Sequence, residues 1–308
     1  IQPDNEQSET WGGIVIAGNS PVYDFSYGNE YVGVTTTNSA GWVYGGNQAD
    51  YSNAHNSGSI SYVHIKNAGN SPTHNETGEA ALKLFATSGN FNVSNIHIEN
   101  STNEGLSVIG GNTNLKNLVI SGAFEGHFDA SGGWSGSAQN VIIDINGNTG
   151  DNSNGVTVEG IGDGITNSGF DYNSVSNGVT PVLTNFTIMK GADASPNSSG
   201  LYFTNDAKVN VLNTIIAADE QGLGYENGHI YFEEQDFVNS ANEPLVYFNG
   251  VLLQGKATNM TPDSYVNNNL VSESATDAFL TEDSVINFTN AGDVVEKVFA
   301  KPGIVKNT

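Results

Sequence analysis

A six-residue pattern recurs along this chain: an apolar residue, any residue, Asn, an apolar residue, any residue, and Ile. Its copies run 93–98, 115–120, 138–143 and 183–188, with a weaker copy at 211–216. From one Asn to the next, the steps are 22, 23, 45 and 28 residues. A fixed period in this range is typical of a repeat architecture, in which each repeat forms one turn of a solenoid. The third step is nearly doubled, and we interpret the stretch 160–178 as a projecting loop, with a degenerate coil as the alternative.

A second pattern lies between these copies, in which Gly precedes alternating apolar and polar residues. It is found at 105–108, 126–129, 155–158, 200–203 and 228–232. Alternation over four to six residues indicates a strand, and Gly supplies a backbone conformation that other residues resist. Each coil therefore holds at least two short strands joined by a corner, and only 293–299 has helical spacing. The sequence predicts an all-β fold, a parallel β-helix with coils of about 22 residues.

The repeat also predicts what fills the coil. Coils of a solenoid stack at about 4.8 Å, so equivalent residues lie on one another. Ile and Val should form apolar columns inside, while Asn at a corner tolerates a left-handed conformation. Stacked Asn side chains bond along the column in other stacked-strand assemblies. We therefore expect an asparagine ladder rather than isolated turn residues.

Composition excludes several classes of function. The chain has 308 residues, no Cys and a formal charge of −24, and its nine basic residues are all Lys. This excess of negative charge repels nucleic acid and anionic membranes, and it suits a secreted protein. No apolar run approaches the ~20 residues of a membrane span. The first residues, Ile1 to Asn5, are not a translation start, so we expect a mature chain or a fragment.

The period divides the chain into two parts. Residues 1–255 are predicted to form the β-helix, with long inserted loops at about 19–56 and 160–178. Residues 256–308 lose the period and form a capping or docking segment with a strand at 284–289. Terminal repeats of solenoids are usually atypical because they cover exposed strand edges. An uncovered first coil at Trp11 would pair with another copy, so head-to-tail assembly into filaments is a possible partner interaction.

Three segments of the chain resemble a family of bacterial secreted or cell-surface proteins. They are 11–21, similar to W-G-G-[LI]-V-I-x-G-x-A-P; 56–69, similar to N-S-G-x-L-x-Y-V-x-I-x-x-A-G; and 103–113, similar to D-D-G-I-x-x-x-G-G-T. The resemblance implies a right-handed parallel β-helix of the pectate-lyase-like fold and an extracellular or cell-surface location. The chain departs from the family pattern in two ways. Asn103-Glu104 stands where a carboxylate pair would be expected, and the pattern shows no coils before Trp11.

A few carboxylates are candidate catalytic residues. A lyase of the pectate type resembles this chain in fold, but its Arg base is absent. A hydrolase needs two carboxylates about 5 to 10 Å apart. Glu104 and Glu125, each preceding a Gly, are expected at equivalent corners one coil apart, and Asp129 lies close to His127. An acidic chain also scatters carboxylates over solvated faces, so we favour no catalytic assignment.

The candidate metal and glycan residues also lack the spacing of a known site. Asp151 and Asp163 lie in oxygen-rich loops suited to Ca²⁺, without the spacing of a known calcium loop. The six histidines show no pair at ligand spacing. Trp42, Tyr44 and Tyr51 are candidate glycan contacts in the first long loop, although packing within that loop is the simpler role.

The sequence thus favours a non-catalytic exported structural or adhesive protein, with self-assembly into a filament or matrix as one form. The alternatives are a polysaccharide-active enzyme, hydrolase or lyase, and a calcium-dependent glycan-binding module. No cofactor is required, and Ca²⁺ is the one ion for which ligands are available. Nucleic acid and membrane spans are excluded as partners.

Overall fold

The computed structural model describes thirteen stretches of the chain and the single residue 22. The stretches are 11–20, 36–37, 43–45, 58–69, 80–146, 153–160, 180–192, 194–195, 197–205, 207–218, 229–233, 246–254 and 285–287.

Nineteen strands lie in the described residues. They are β1 (Ile14–Ala17), β2 (Thr36–Thr37), β3 (Val43–Tyr44), β4 (Ser59–Lys66), β5 (Leu82–Phe85), β6 (Asn92–Glu99), β7 (Leu106–Ile109), β8 (Asn114–Ser121), β9 (Phe128–Ser131), β10 (Ser137–Ile145), β11 (Val156–Glu159), β12 (Val182–Lys190), β13 (Leu201–Thr204), β14 (Val209–Leu212), β15 (Ile215–Ala218), β16 (Ile230–Phe232), β17 (Val246–Asn249), β18 (Val251–Gln254) and β19 (Val285–Asn287).

The strands form two long parallel sheets that the chain visits in turn. The shorter sheet has the order β1-β5-β7-β9-β11-β13-β16. The longer sheet has the order β19-β18-β15-β12-β10-β8-β6-β4, with β14 pairing with β12 and β17. Neighbours within each sheet come from successive coils, which is the arrangement of a parallel β-helix and confirms the predicted fold class. The strands β2 and β3 form a separate antiparallel pair.

Apolar columns fill the interior. Ile98, Ile120, Ile143 and Ile188 are in register on consecutive strands of the longer sheet and are at most 1% exposed. Ile65 and Ile216 extend this column at its two ends. Since each strand alternates its side chains between two faces, one register places every Ile of the repeat inside.

The repeated Asn residues form the expected ladder. The Nδ2 atoms of Asn117, Asn140 and Asn185 each donate to Oδ1 of the Asn one coil before, at 3.0 Å. Asn95 begins the series, and all four have a φ between 56° and 58°. This left-handed conformation bends each long strand in its middle, and Asn adopts it more readily than most residues.

Gly at the corner before the shorter sheet allows close packing. A Cβ on Gly105 would lie 2.6 Å from Cγ2 of Ile120 and 2.7 Å from the His127 carbonyl oxygen. Gly155 and Gly200 have the same relationship to Ile188 and Ile216. The Ile columns therefore require Gly at these corners, which explains why the two sequence patterns recur with similar spacing.

The near-double step of the repeat is a single coil with an insertion. Strand β10 pairs directly with β12, and β11 pairs with both β9 and β13. No complete coil fits between these neighbours, so the alternative of a degenerate coil is wrong. The insertion itself, at 161–179, lies outside the described residues.

The described residues leave parts of the predicted organisation untested. Most of the first loop and of the segment 256–308 lie outside them, although the expected strand at 284–289 is present as β19, which pairs with β18. The described part of the chain contains no helix with the length and apolar character needed to cross a bilayer.

Candidate functional site

One column of outward-facing residues on the shorter sheet carries most of its polar groups. Ser107, Asp129, Thr157, Tyr202 and Tyr231 are in register on the consecutive strands β7, β9, β11, β13 and β16. Their neighbours along each strand point inward and form the core, as the alternation of a strand requires. Residues at the same position in five coils therefore form one row, with about 4.8 Å between neighbouring strands.

Asp129 is the unusual member of this column. The residue as a whole is only partly buried, but its Oδ1 is buried and has no hydrogen-bond partner among the described residues. A Cβ on Gly126 would lie 2.8 Å from that Oδ1, so the carboxyl group packs against the backbone of the preceding corner. The absence of a side chain at Gly126 is what makes room for it.

The environment of Asp129 favours its protonated form. Burial, followed by the charge of Glu104 and then those of Glu159 and Glu125, raises its pKa to about 7, against a hydrogen bond from Thr157 that lowers it. Desolvation and like charges both penalise the ionised carboxylate. Asp129 therefore titrates near neutral pH, which is the range in which a carboxyl group serves as a proton donor.

Three further carboxylates surround Asp129. Glu104 is partly buried, and its Oε2 is a buried atom without a hydrogen-bond partner among the described residues. Glu125 is exposed, and Oε1 of Glu159 accepts a hydrogen bond from Asn205 at 2.8 Å. The charges of all three act on Asp129 and favour its protonated form.

The expected equivalence of Glu104 and Glu125 is wrong. Leu106 pairs with Phe128, and the Gly105 amide donates to the Gly126 carbonyl, so Gly126 is the counterpart of Glu104. The corner before β9 holds one residue more than the Gly pattern assumed. Both Glu residues nevertheless lie close enough to Asp129 to raise its pKa.

The extra residue at this corner is His127, which has a structural role. It is fully buried; its Nδ1 donates to the Asn154 carbonyl oxygen at 3.1 Å, and its Nε2 accepts from the Ala123 amide at 3.3 Å. These bonds define a neutral ring, and burial lowers its pKa to about 4. His127 thus holds the corner that carries Asp129.

Two tyrosines lie further along the same column. The rings of Tyr202 and Tyr231 stack with centroids 5.3 Å apart and planes inclined by 24°. Tyr202 is two strands from Asp129, about 10 Å along the stack. The sequence pattern did not single out this pair, although each tyrosine is the second residue of its strand, as Asp129 is in β9.

A second polar group lies on the outer face of the longer sheet. His64 and His97 are in register on β4 and β6, with parallel rings 4.3 Å apart, and Glu99 follows two residues after His97. His64 and Lys66 each bond to Glu99. Spacing along the sequence did not show this pair, because the two residues are 33 positions apart but occupy the same place in the repeat.

The remaining candidates do not join either group. Tyr44 is buried and stacks on Phe85 with centroids 4.3 Å apart, so packing, rather than glycan contact, accounts for it. Trp42, Tyr51, Asp151 and Asp163 lie outside the described residues. The calcium expectation attached to the two aspartates stays a prediction.

Comparison with known proteins shows the class of this fold. The family model described as pectate-lyase-like beta helix domain matches residues 2–292, which is nearly the whole chain. The chain belongs to this family of pectate-lyase-like β-helix proteins. Searches of curated proteins and of solved structures gave no significant match.

Proposed function

We propose that this β-helix acts on polysaccharide as a glycoside hydrolase, with Asp129 as the general acid. The supporting observation is the carboxyl group of Asp129, whose pKa is raised to about 7 by burial and then by the charge of Glu104. Glycosidases use such a pair, in which the acid protonates the leaving oxygen and the other carboxylate acts as nucleophile or base. This proposal takes up the enzyme alternative and is supported by the effect of Glu104 on the pKa of Asp129.

Glu104 is the proposed partner carboxylate. Among the charges that raise the pKa of Asp129, that of Glu104 has the largest effect. Glu159, whose charge has a smaller effect on Asp129, accepts a hydrogen bond from Asn205.

The substrate class follows from charge and aromatic surface. A formal charge of −24 and four carboxylates in one cluster repel anionic glycans, so we propose a neutral polysaccharide. Tyr202 and Tyr231 provide an aromatic surface in the same column as Asp129. An extended glycan lying across successive coils would contact both features.

The experiment compares hydrolysis by the unaltered chain and by Asp129→Asn. A panel of neutral and acidic polysaccharides is assayed for new reducing ends and for unsaturated products. We expect reducing ends from a neutral glycan, at least a hundredfold loss in Asp129→Asn, and a rate that falls above about pH 7 as the acid deprotonates. Asp144→Asn is the matched control, since it changes a partly buried, outward Asp of the longer sheet.

Turnover that survives in Asp129→Asn overturns the assignment of the acid, and unsaturated products overturn hydrolysis in favour of a lyase. Binding of a glycan without turnover would favour the glycan-binding module. If that binding requires Ca²⁺, the calcium-dependent form of the module is the better description.

The second candidate is a structural or adhesive role outside the cell or at its surface. It is favoured by β4, which pairs on one side only, with β6, within the described residues. An exposed strand edge is a site for pairing with another chain. Filaments in electron micrographs of the purified chain, together with no activity on any glycan, would favour this role over hydrolysis.

A further inference from the structure

We propose that His64, His97 and Glu99 form a binding site for a divalent transition-metal ion of the Zn²⁺ type on the outer face of the longer sheet. The three side chains each offer one ligand atom, and these atoms all lie within 4.8 Å of one another. Two imidazoles and a carboxylate are a ligand set that zinc uses when it keeps one position open.

The backbone places the ligands before any ion arrives. His64 and His97 pair in register on β4 and β6, and Glu99 points outward from the same strand as His97. Hydrogen-bonded parallel strands fix this spacing, and sites on regular elements are held more precisely than sites on loops. The parallel rings, inclined by 4°, bring equivalent atoms of both histidines to the same side of the sheet.

Only side-chain movement is needed to close the site. Zinc–nitrogen bonds are about 2.1 Å, so tetrahedral ligand atoms stand about 3.4 Å apart. The His64 Nε2 and the Glu99 Oε2 are already 2.9 Å apart in a hydrogen bond. The proton of that bond occupies the place that the metal would take, and His97 completes the set by tilting its ring.

The neighbouring Lys66 pairs in register with Glu99 and holds its carboxylate. The Lys66 Nζ contacts Oε1, at 3.0 Å, and so leaves Oε2 for the metal while orienting the carboxylate.

The test is calorimetric titration of the whole chain with ZnCl₂. Excess MgCl₂ is present to occupy oxygen-only sites on this acidic protein, because imidazole ligands prefer zinc to magnesium. We expect one saturable site, with His64→Ala, His97→Ala and Glu99→Gln each weakening binding by at least about tenfold. Asp144→Asn is the matched control, because it removes one charge from the same column two strands away and should leave affinity unchanged.

A gain-of-function variant makes the test independent of ligand removal. Val119 follows His97 in register on β8 and is 36% exposed. Val119→His adds a third imidazole to the column, and we expect binding at least about tenfold tighter. Far-UV circular dichroism confirms that each variant keeps its strands.

Two results would overturn the proposal. One is the absence of saturable zinc binding by the unaltered chain. The other is binding of undiminished affinity in the double variant His64→Ala/His97→Ala, which would place the ion elsewhere in the chain.

Discussion

Tyr62 of β4 occupies the ladder position that Asn95 occupies in β6. Ser61 pairs with Ser94, and Val63 pairs with Ile96, so the two residues face each other between these pairs. Both are left-handed, with φ values of 57° and 56°. The bend of the strand is therefore kept at the first rung of the longer sheet, although its side chain cannot continue the amide ladder.

Tyr62→Asn should raise the free energy of unfolding by about 1–2 kcal/mol. Asn relieves the strain of a bulky residue at positive φ and adds one amide hydrogen bond to Asn95. Tyr62 is 85% exposed, so little packing is lost. Urea denaturation measures the change. Tyr62→Ala is the control and should stay within about 0.5 kcal/mol; an Asn variant no more stable than this control would contradict the ladder account.

Asn140→Ala should lower the free energy of unfolding by about 2–3 kcal/mol. The change breaks the hydrogen bonds to Asn117 and Asn185 and leaves Ala at a φ of 58°. Asn140→Gly breaks the same bonds but accepts this φ, so it should cost about 1 kcal/mol less. Equal losses in the two variants, measured in parallel denaturant titrations, would show that backbone strain plays no part.

The buried His127 should make the chain less stable as the medium becomes acidic. Its pKa is lowered to about 4 in the folded chain, against 6.5 for an ordinary histidine. Between these values the unfolded chain binds more protons, so the free energy of unfolding falls as the pH drops from 6.5 to 4. The full effect is about 3 kcal/mol at about 1.4 kcal/mol per pKa unit. His127→Gln should abolish this part of the pH dependence in thermal melts; a profile that keeps its slope would contradict it.

Asp129 should act in the opposite direction over nearly the same range. Its pKa is raised from 3.8 to about 7, so the folded chain binds more protons between these values and loses stability as the pH rises through them. The contribution is on the order of 2 kcal/mol, since partial exposure of the residue screens the full shift. Asp129→Asn should therefore match the unaltered chain near pH 4 and be more stable at pH 8.

The control for this prediction is Asp144→Asn, which removes an equal charge from the longer sheet. Subtracting its effect corrects for the lower net charge. If both variants gain the same stability at pH 8, the environment of Asp129 has no special influence, and the proposed general acid loses its physical basis.

The period of the sequence was enough to predict the coil and its interior. Asn95, Asn117, Asn140 and Asn185 stack because residues one repeat apart meet at the spacing of hydrogen-bonded strands. The Ile columns follow from the same rule. These contacts join equivalent places in a repeat, so a linear pattern contains the information needed to predict them.

The site required the tertiary structure because it depends on departures from the repeat. One extra residue at the corner before β9 moves Glu125 out of register with Glu104 and buries His127. The raised pKa of Asp129 comes from burial and from charges on neighbouring coils, which sequence distance does not measure. His64 and His97 likewise meet across an irregular step of 33 residues. The sequence alone determined that the chain winds into a β-helix, because like residues recur with the period of one coil. Only the tertiary structure decided which polar groups lie together in a partly buried cluster, because that depends on where the coils differ in length.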